Sequence, residues 1–316
     1  MYTFDLEGTG LGAMSFQLAS WVTSIMVFHL YSVWLFTASD LKTIVGPSLL
    51  FGLANAAGAS SYGIDLSMLP CPKKILLRTP LILLWIWMNL LPFTINNQKD
   101  PDAIREDTIN KPWRTLPSGR MSSRQAKFLM VAVYPLAVCL SYLLVGGARQ
   151  SLALVVLGTW YNNFAGADSS FFTKNFINAL GYVSFTSGAM EVALGFPLPL
   201  KPKLLQWFCI IAAIIFTTIH LQDMPDQEGD SVKGRKTMPL VVGDKWARWT
   251  IASFMIFWGS TCPWLLHETS MTTALSLGLA GVVALRVLLR AVESDRLTFK
   301  LWNLWMTLIF ILPLVG

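Results

Sequence analysis

The chain has 316 residues, 54% of them hydrophobic and only 13% charged, with a mean hydropathy of +0.53. That is more apolar surface than a soluble domain of this size can hide, so lipid must cover much of it. The net charge of +6 does not signal nucleic acid, because the basic residues cluster in loops between apolar runs and no nucleic-acid-binding motif is present; anionic phosphate or lipid headgroups are the expected partners.

Apolar runs long enough to cross a bilayer recur at 15–37, 43–60, 78–96, 126–146, 150–167, 172–194, 204–222, 248–265, 272–291 and 299–315. The first two are the least distinct as separate spans. Gly147, Pro197, Pro199 and Pro202 punctuate the gaps, as expected of loops. No soluble domain or linker stands out, so residues 1–316 read as a single membrane-embedded domain, an all-α polytopic helical bundle. Cys71, Cys139, Cys209 and Cys262 show no metal-ligand spacing and are expected as small buried hydrophobes. The tryptophans are expected chiefly as interfacial anchors.

Two connections differ from the rest. Segments 97–125 and 223–247 are long, polar and rich in both signs of charge, and ten spans would put them on the same side of the membrane. That side also collects most of the 24 Lys and Arg residues, so the positive-inside tendency places both loops in the cytoplasm.

The second loop opens Asp223-Met224-Pro225-Asp226-Gln227-Glu228-Gly229-Asp230, directly after an apolar run and ahead of Lys233-Gly234-Arg235-Lys236-Thr237. Carboxylates this crowded repel one another unless a divalent cation sits between them. On an α-helix continuing the preceding span, Asp223, Asp226 and Asp230 fall at i, i+3 and i+7, on one face. Magnesium takes oxygen ligands and keeps several waters, so one or two carboxylates with diphosphate oxygens would complete its shell. The ordinary alternative is a solvated helix end with paired charges, but acids crowded at a bilayer boundary are costly and usually functional.

The first loop carries a second acidic cluster, from Asn96 through Asp100 and Asp102 to Glu106 and Asp107, followed by Lys111 and Arg114. Two such clusters on one side of the membrane would clamp Mg2+ ions around a diphosphate. Lys111, Arg114, Lys233, Arg235 and Lys236 would then neutralise the leaving group as its bond to carbon breaks.

Asp223-x-Pro-Asp226-x-Glu-Gly-Asp230 with Gly234-Arg235-Lys236-Thr237, and Asn110-Lys111-Pro112 with Leu116-Pro117-Ser118-Gly119-Arg120, resemble the two motif regions of the UbiA superfamily of intramembrane prenyltransferases. The resemblance covers nearly the whole chain. It implies nine core spans with a possible extra amino-terminal helix, and two aspartate-rich loops at the cytoplasmic mouth. The first motif departs from the family pattern of Asn with aspartates four and eight residues on. Asn96 and Asp100 fit the first spacing, but Ile104 takes the next place, whereas counting back from Asn110-Lys111-Pro112 selects Asp107. The metal ligands of this loop therefore remain open among Asn96, Asn97, Asp100, Glu106 and Asp107, beside Asp223, Asp226 and Asp230.

Phe36-Thr37-Ala38-Ser39-Asp40-Leu41-Lys42-Thr43, Asn97-Gln98 and the stretch Glu106 to Arg114 resemble the fungal branch that includes membrane-bound terpene cyclases. That resemblance implies a magnesium-dependent class I terpene cyclase that ionises farnesyl or geranylgeranyl diphosphate and cyclises it inside the membrane. The alternative is an intermolecular prenyltransferase moving the chain to an aromatic or lipid acceptor. A transporter is disfavoured, since the acids sit at span ends and no inverted repeat is evident. Tyr161, Tyr182 and Phe185 could stabilise an allylic cation by their ring faces, though packing would explain them as well; Glu191, inside an apolar run, is a candidate base for the final deprotonation. The expected setting is the endoplasmic reticulum membrane.

Overall fold

A computed structural model describes residues 11–266, 269–289 and 292–315. Among them there is no strand. The helices are α1 (Leu11–Thr37), α2 (Gly46–Ala57), α3 (Pro72–Leu77), α4 (Thr79–Gln98), α5 (Pro101–Asn110), α6 (Ser123–Leu140), α7 (Ala148–Asn163), α8 (Phe171–Leu194), α9 (Pro202–Thr218), α10 (Gln227–Lys233), α11 (Met238–Val242), α12 (Asp244–Leu265), α13 (Ser270–Leu288) and α14 (Val292–Val315). Every expected apolar run contains one of the long helices or α2; the tail of the run 272–291 lies outside the described residues. By length and apolarity, Gln17–Ala57, Thr79–Gln98, Ser123–Leu143, Pro202–Lys233 and Ser270–Leu288 are each able to cross a bilayer.

The helix ends follow local chemistry. A capping box between Ser122 and Gln125 opens α6, Ser170 caps α8 and Gly195 closes it in the left-handed conformation at φ 79°. Prolines in the first turn start α4, α5 and α9.

Helix α8 is the hub, packed by α2, α4, α7 and α9, while α9, α12, α13, α14 and α2 follow one another around the second half. Small residues allow the close approaches that hold helices together where lipid gives no hydrophobic drive. A Cβ on Gly52 of α2 would lie 2.8 Å from the backbone of Ala189 on α8, and one on Gly259 of α12 would meet the Ala280 Cβ of α13 at 2.6 Å. Polar locks add to this: Asn55 donates to the Phe310 carbonyl at 2.8 Å and accepts from Trp207 Nε1 at 3.1 Å and from the Tyr62 hydroxyl. Arg248, buried, spans α12 to α14 through Asp295 at 2.7 Å and donates to the Val287 carbonyl at 3.0 Å.

Three expectations are corrected. Cys139 and Cys209 face outward and only Cys262 is buried, as expected of helices whose outer faces, such as Phe128, Val131 and Tyr142 on the α6 side, meet lipid. Four of the thirteen tryptophans, Trp85, Trp207, Trp302 and Trp305, are core residues rather than interfacial anchors, while seven others are exposed; the indole N–H groups of Trp207, Trp302 and Trp305 reach Asn55, Thr218 and Ser276. Finally, the α-helix of the span before Asp223 does not continue. Residues Ile219–Asp226 wind as a 3₁₀ helix containing Pro225, and α10 resumes at Gln227.

Overpacking the α2–α8 contact is expected to cost about 1–3 kcal/mol. Gly52→Leu therefore lowers the thermal unfolding midpoint in detergent, whereas Gly181→Ala, with open space around its Cβ position, leaves it near the native value.

Candidate active site

At one end of the bundle α5 of the first polar loop packs on α10 of the second. Gly229 makes room for the contact, since a Cβ there would collide with the Asn110 side chain. Asn110 Nδ2 donates to the Asp226 carbonyl at 3.3 Å and Lys111 Nζ to Asp226 Oδ2 at 2.7 Å, so the tail of the first acidic loop is tied to the heart of the second.

Beneath this junction lies a cavity of about 560 Å³, in the usual range of small-molecule sites. Its floor and sides are apolar or aromatic: Leu90, Phe93, Leu154, Leu157, Ile177, Tyr161, Tyr182, Phe185 and Phe299. Its roof is charged. Asp223 Oδ1 accepts from Lys174 Nζ at 2.7 Å, both side chains being 3% exposed. Arg235 Nη2 lies 3.0 Å from Glu106 Oε2, its Nε is 3.8 Å from Asp230 Oδ1 and 3.5 Å from Asp168 Oδ1, and Nη2 reaches Asn97 Oδ1 at 3.5 Å. Cations outnumber carboxylates in the lining, as suits a polyanionic ligand.

Most of the sequence-predicted residues meet here. Asn97, Glu106, Lys111, Arg114, Tyr161, Tyr182, Phe185, Asp223, Asp226, Asp230 and Arg235 all line the cavity. Others stand behind or apart. Asp107 is buried against Arg114, which donates to both its oxygens at 2.8 and 3.0 Å; burial pushes its carboxyl above the usual carboxylate range against the pull of that guanidinium. Asn96 donates to Asn163 Oδ1 at 2.9 Å, and Asp100 is 58% exposed beside Lys99. Lys233 stands in the second row, 3.7 Å from Glu106 and 3.8 Å from Asp168. Lys236 points to solvent, with its backbone N–H on the Asp168 carbonyl at 3.2 Å.

Glu191 is not a wall of the cavity. Its Oε2 accepts from Arg149 at 2.7 Å, Gln150 at 3.2 Å and the Leu198 N–H at 2.9 Å, and its Oε1 from the Gly147 N–H at 3.0 Å. It clasps the loops after α8 and before α7, and its oxygens are fully engaged there.

A divalent cation fits the roof on two grounds. Asp223 Oδ2 and Asp230 Oδ2 are buried without a hydrogen-bond partner, which is costly unless something else meets them. Both belong to hard oxygen donors of the kind that magnesium takes. Among the described residues no three Asp, Glu, His or Cys side chains converge on one point, so ligand oxygens and water would supply the rest of the shell.

Sequence reasoning missed Asp40, Lys42, Lys174, Arg296 and Lys300, which line the same cavity. Lys174 was the most accessible of these, as a cation within the apolar run 172–194; an ionisable group inside a span is by default a functional candidate.

The UbiA prenyltransferase family pattern matches residues 49–309. The fumagillin beta-trans-bergamotene synthase of Aspergillus fumigatus is 31% identical over 241 residues, covering 73% of each chain. The somaliensene A/B synthase of Streptomyces somaliensis is 29% identical over 292 residues, 87% of this chain and 89% of its own, and a polyprenyl transferase of Hericium erinaceus is 28% identical over 77% and 81%. In three dimensions the chain resembles a UbiA homolog from Archaeoglobus fulgidus bound to GPP and Mg2+, with a TM-score of 0.55 and 14% identity over 86% of this chain and 98% of that one. The motif regions, the helical bundle and the match over most of the length agree: the chain belongs to the UbiA prenyltransferase family.

Proposed function

We propose that the protein is a magnesium-dependent class I terpene cyclase of the membrane, which ionises farnesyl or geranylgeranyl diphosphate and closes the released chain on itself. The observation that carries this reading is a single cavity whose lining joins the charged side chains of both acidic loops to the rings of Phe93, Tyr161, Tyr182 and Phe185 and to the apolar Leu90, Leu154, Leu157 and Ile177. The two synthases among the relatives support it. The polyprenyl transferase keeps prenyl transfer to an aromatic or lipid acceptor as the reading that the experiment must separate.

The diphosphate lies under the roof, where Lys111, Arg114, Lys174 and Arg235 face it. Asp223, Asp226 and Asp230, with Glu106 and Asn97 opposite, are the residues that would hold Mg2+. The bound metal supplies charge neutralisation on the departing diphosphate. As the allylic C–O bond breaks, its electron pair goes to the diphosphate, and the preorganised cations stabilise that charge in a water-poor site. The isoprenyl tail extends over Leu90, Leu154, Leu157 and Ile177, and the rings of Tyr161, Tyr182 and Phe185 offer their faces to the cation. An apolar floor also withholds water that would trap the cation early. We place the protein in the endoplasmic reticulum bilayer with the roof toward the cytoplasm, following the distribution of Lys and Arg.

Membranes carrying the protein, given magnesium and either substrate without acceptor, are expected to release diphosphate together with a cyclic terpene detected by gas chromatography. A prenylated product formed only when an acceptor is added would replace the cyclase reading with transfer. Chelation is expected to stop diphosphate release and magnesium to restore it.

Asp226→Ala and Asp230→Ala are each expected to lower diphosphate release by about 100-fold or more while the protein stays folded, in keeping with the loss of one electrostatic contributor to such a site. Lys174→Met leaves Asp223 buried without its counter-charge and is expected to reduce both turnover and thermal stability, the latter by about 3–5 kcal/mol. Wild-type turnover in either aspartate variant would remove the metal-site argument.

A further inference from the structure

We propose that Asp40 is the base that ends the reaction, taking the proton whose loss turns the last carbocation into a neutral hydrocarbon. The inference rests on the cyclase reading above and names a catalytic residue outside the two acidic loops. Asp40 closes a 3₁₀ turn, Ala38–Asp40, after which the chain runs as one turn of π-helix, Leu41–Val45, before α2. π-helical turns are uncommon and recur at functional sites. Here the irregular turn sets Asp40 into the cavity wall alongside Tyr182 and Phe299.

The other four carboxylates of the cavity each face a cation: Asp223 Lys174 at 2.7 Å, Asp226 Lys111 at 2.7 Å, Glu106 Arg235 at 3.0 Å and Asp230 Arg235 at 3.8 Å. Asp40 has no ion pair among the described residues. Its one side-chain hydrogen bond is to Oδ2, which accepts from Ser39 Oγ at 3.1 Å. Ser39 Oγ in turn accepts from Arg114 Nη2 at 2.8 Å, and Arg114 is held by Asp107. This relay holds Oδ2 and, among the described residues, leaves Oδ1 without a protein hydrogen bond in a residue that lines the cavity, so the acid is positioned without an ion pair. Arg114, Lys111 and Lys42 favour its charge from a distance without forming an ion pair, and a cavity-lining acid held free of a direct counter-charge is a candidate for chemistry.

The step balances without a further reactant. Ring closure forms a C–C bond from a C=C π pair and leaves a tertiary cation. Asp40 Oδ1 takes a proton from a carbon adjacent to that centre, the C–H pair becomes the C=C bond of the product, and the neutral carboxylic acid later returns its proton to water when the site reopens.

The test is a paired measurement on the full-length protein in membranes: diphosphate released and hydrocarbon formed from the same farnesyl or geranylgeranyl diphosphate. In Asp40→Asn, which keeps the side-chain size, the share of released diphosphate recovered as the wild-type hydrocarbon is expected to fall at least about tenfold, a conservative bound for loss of a general base. Acyclic or cyclic alcohols and other olefins make up the balance. Asp40→Glu is expected to restore part of the native product, and Ser39→Ala to broaden the product mixture by loosening the base's aim. An unchanged ratio in Asp40→Asn would overturn the proposal and point to the diphosphate itself as proton acceptor. Equal loss of diphosphate release and hydrocarbon in both Asp40→Asn and Asp40→Glu would also overturn it, assigning Asp40 to ionisation or to the fold. If the unaltered protein makes no terpene without an acceptor, the cyclase reading falls, and that outcome is seen before any variant is made.

Discussion

The buried ion pair between Lys174 of α8 and Asp223 of the 3₁₀ segment is the contact on which the site depends. With both groups 3% exposed, neither charge has water to fall back on, and removal of either leaves the other uncompensated in a low dielectric. The pair fixes the mouth end of α8, the hub of the bundle, to the acidic loop, so the geometry of the roof is set by the same helix that supplies Tyr182 and Phe185 to the floor. Lys111 and Asp226 repeat the arrangement between the two loops at the same 2.7 Å, with more solvent around them. Stacked in this way, the two pairs turn a pair of polar connections into one rigid lid over an apolar chamber.

Much of this was legible in the sequence because its signals are local. The apolar runs gave the long helices to within several residues, and the spacing of Asp223, Asp226 and Asp230 picked out three acids that line one cavity. The residues that pattern reading misplaced are those decided by tertiary partners. Pro225 and the pull of Lys174 on Asp223 rewind the expected α-helix as 3₁₀, so the acids share a wall for a different geometric reason. Glu191, an acid in an apolar run, looks like a functional base until the Gly147 and Leu198 N–H groups, 44 and 7 residues away in the chain, are seen to claim it. The stretch Phe36 to Thr43 marks Asp40 only as part of a family resemblance and gives it no role; its place at the cavity comes with the π-helical turn and the relay from Arg114, 75 residues from Ser39.

The first motif, irregular by the family's spacing, also becomes intelligible. Of its five candidate ligands only Asn97 and Glu106 reach the cavity wall. Asp107 instead anchors Arg114, and Arg114 holds Ser39. The acid that spacing would assign to a metal thus serves to position a cation and, through it, the amino-terminal turn.

A site built of paired charges has a further consequence for how it meets its ligand. Lys174, Lys111 and Arg235 pair with Asp223, Asp226, Asp230 and Glu106, so each of these acids already has a counter-charge. On the function proposed above, a diphosphate entering with a divalent cation would let each partner exchange, the bases to phosphate oxygens and the carboxylates to the metal, again leaving few charges unmatched. Either component alone would strand one set of side chains, since diphosphate would take the bases from the acids and metal would take the acids from the bases, each at the desolvation cost of the group left behind. On that reading the arrangement would favour joint binding of the metal and the diphosphate over binding of either by itself, and would tie assembly of the site to the presence of the bond that is to be broken.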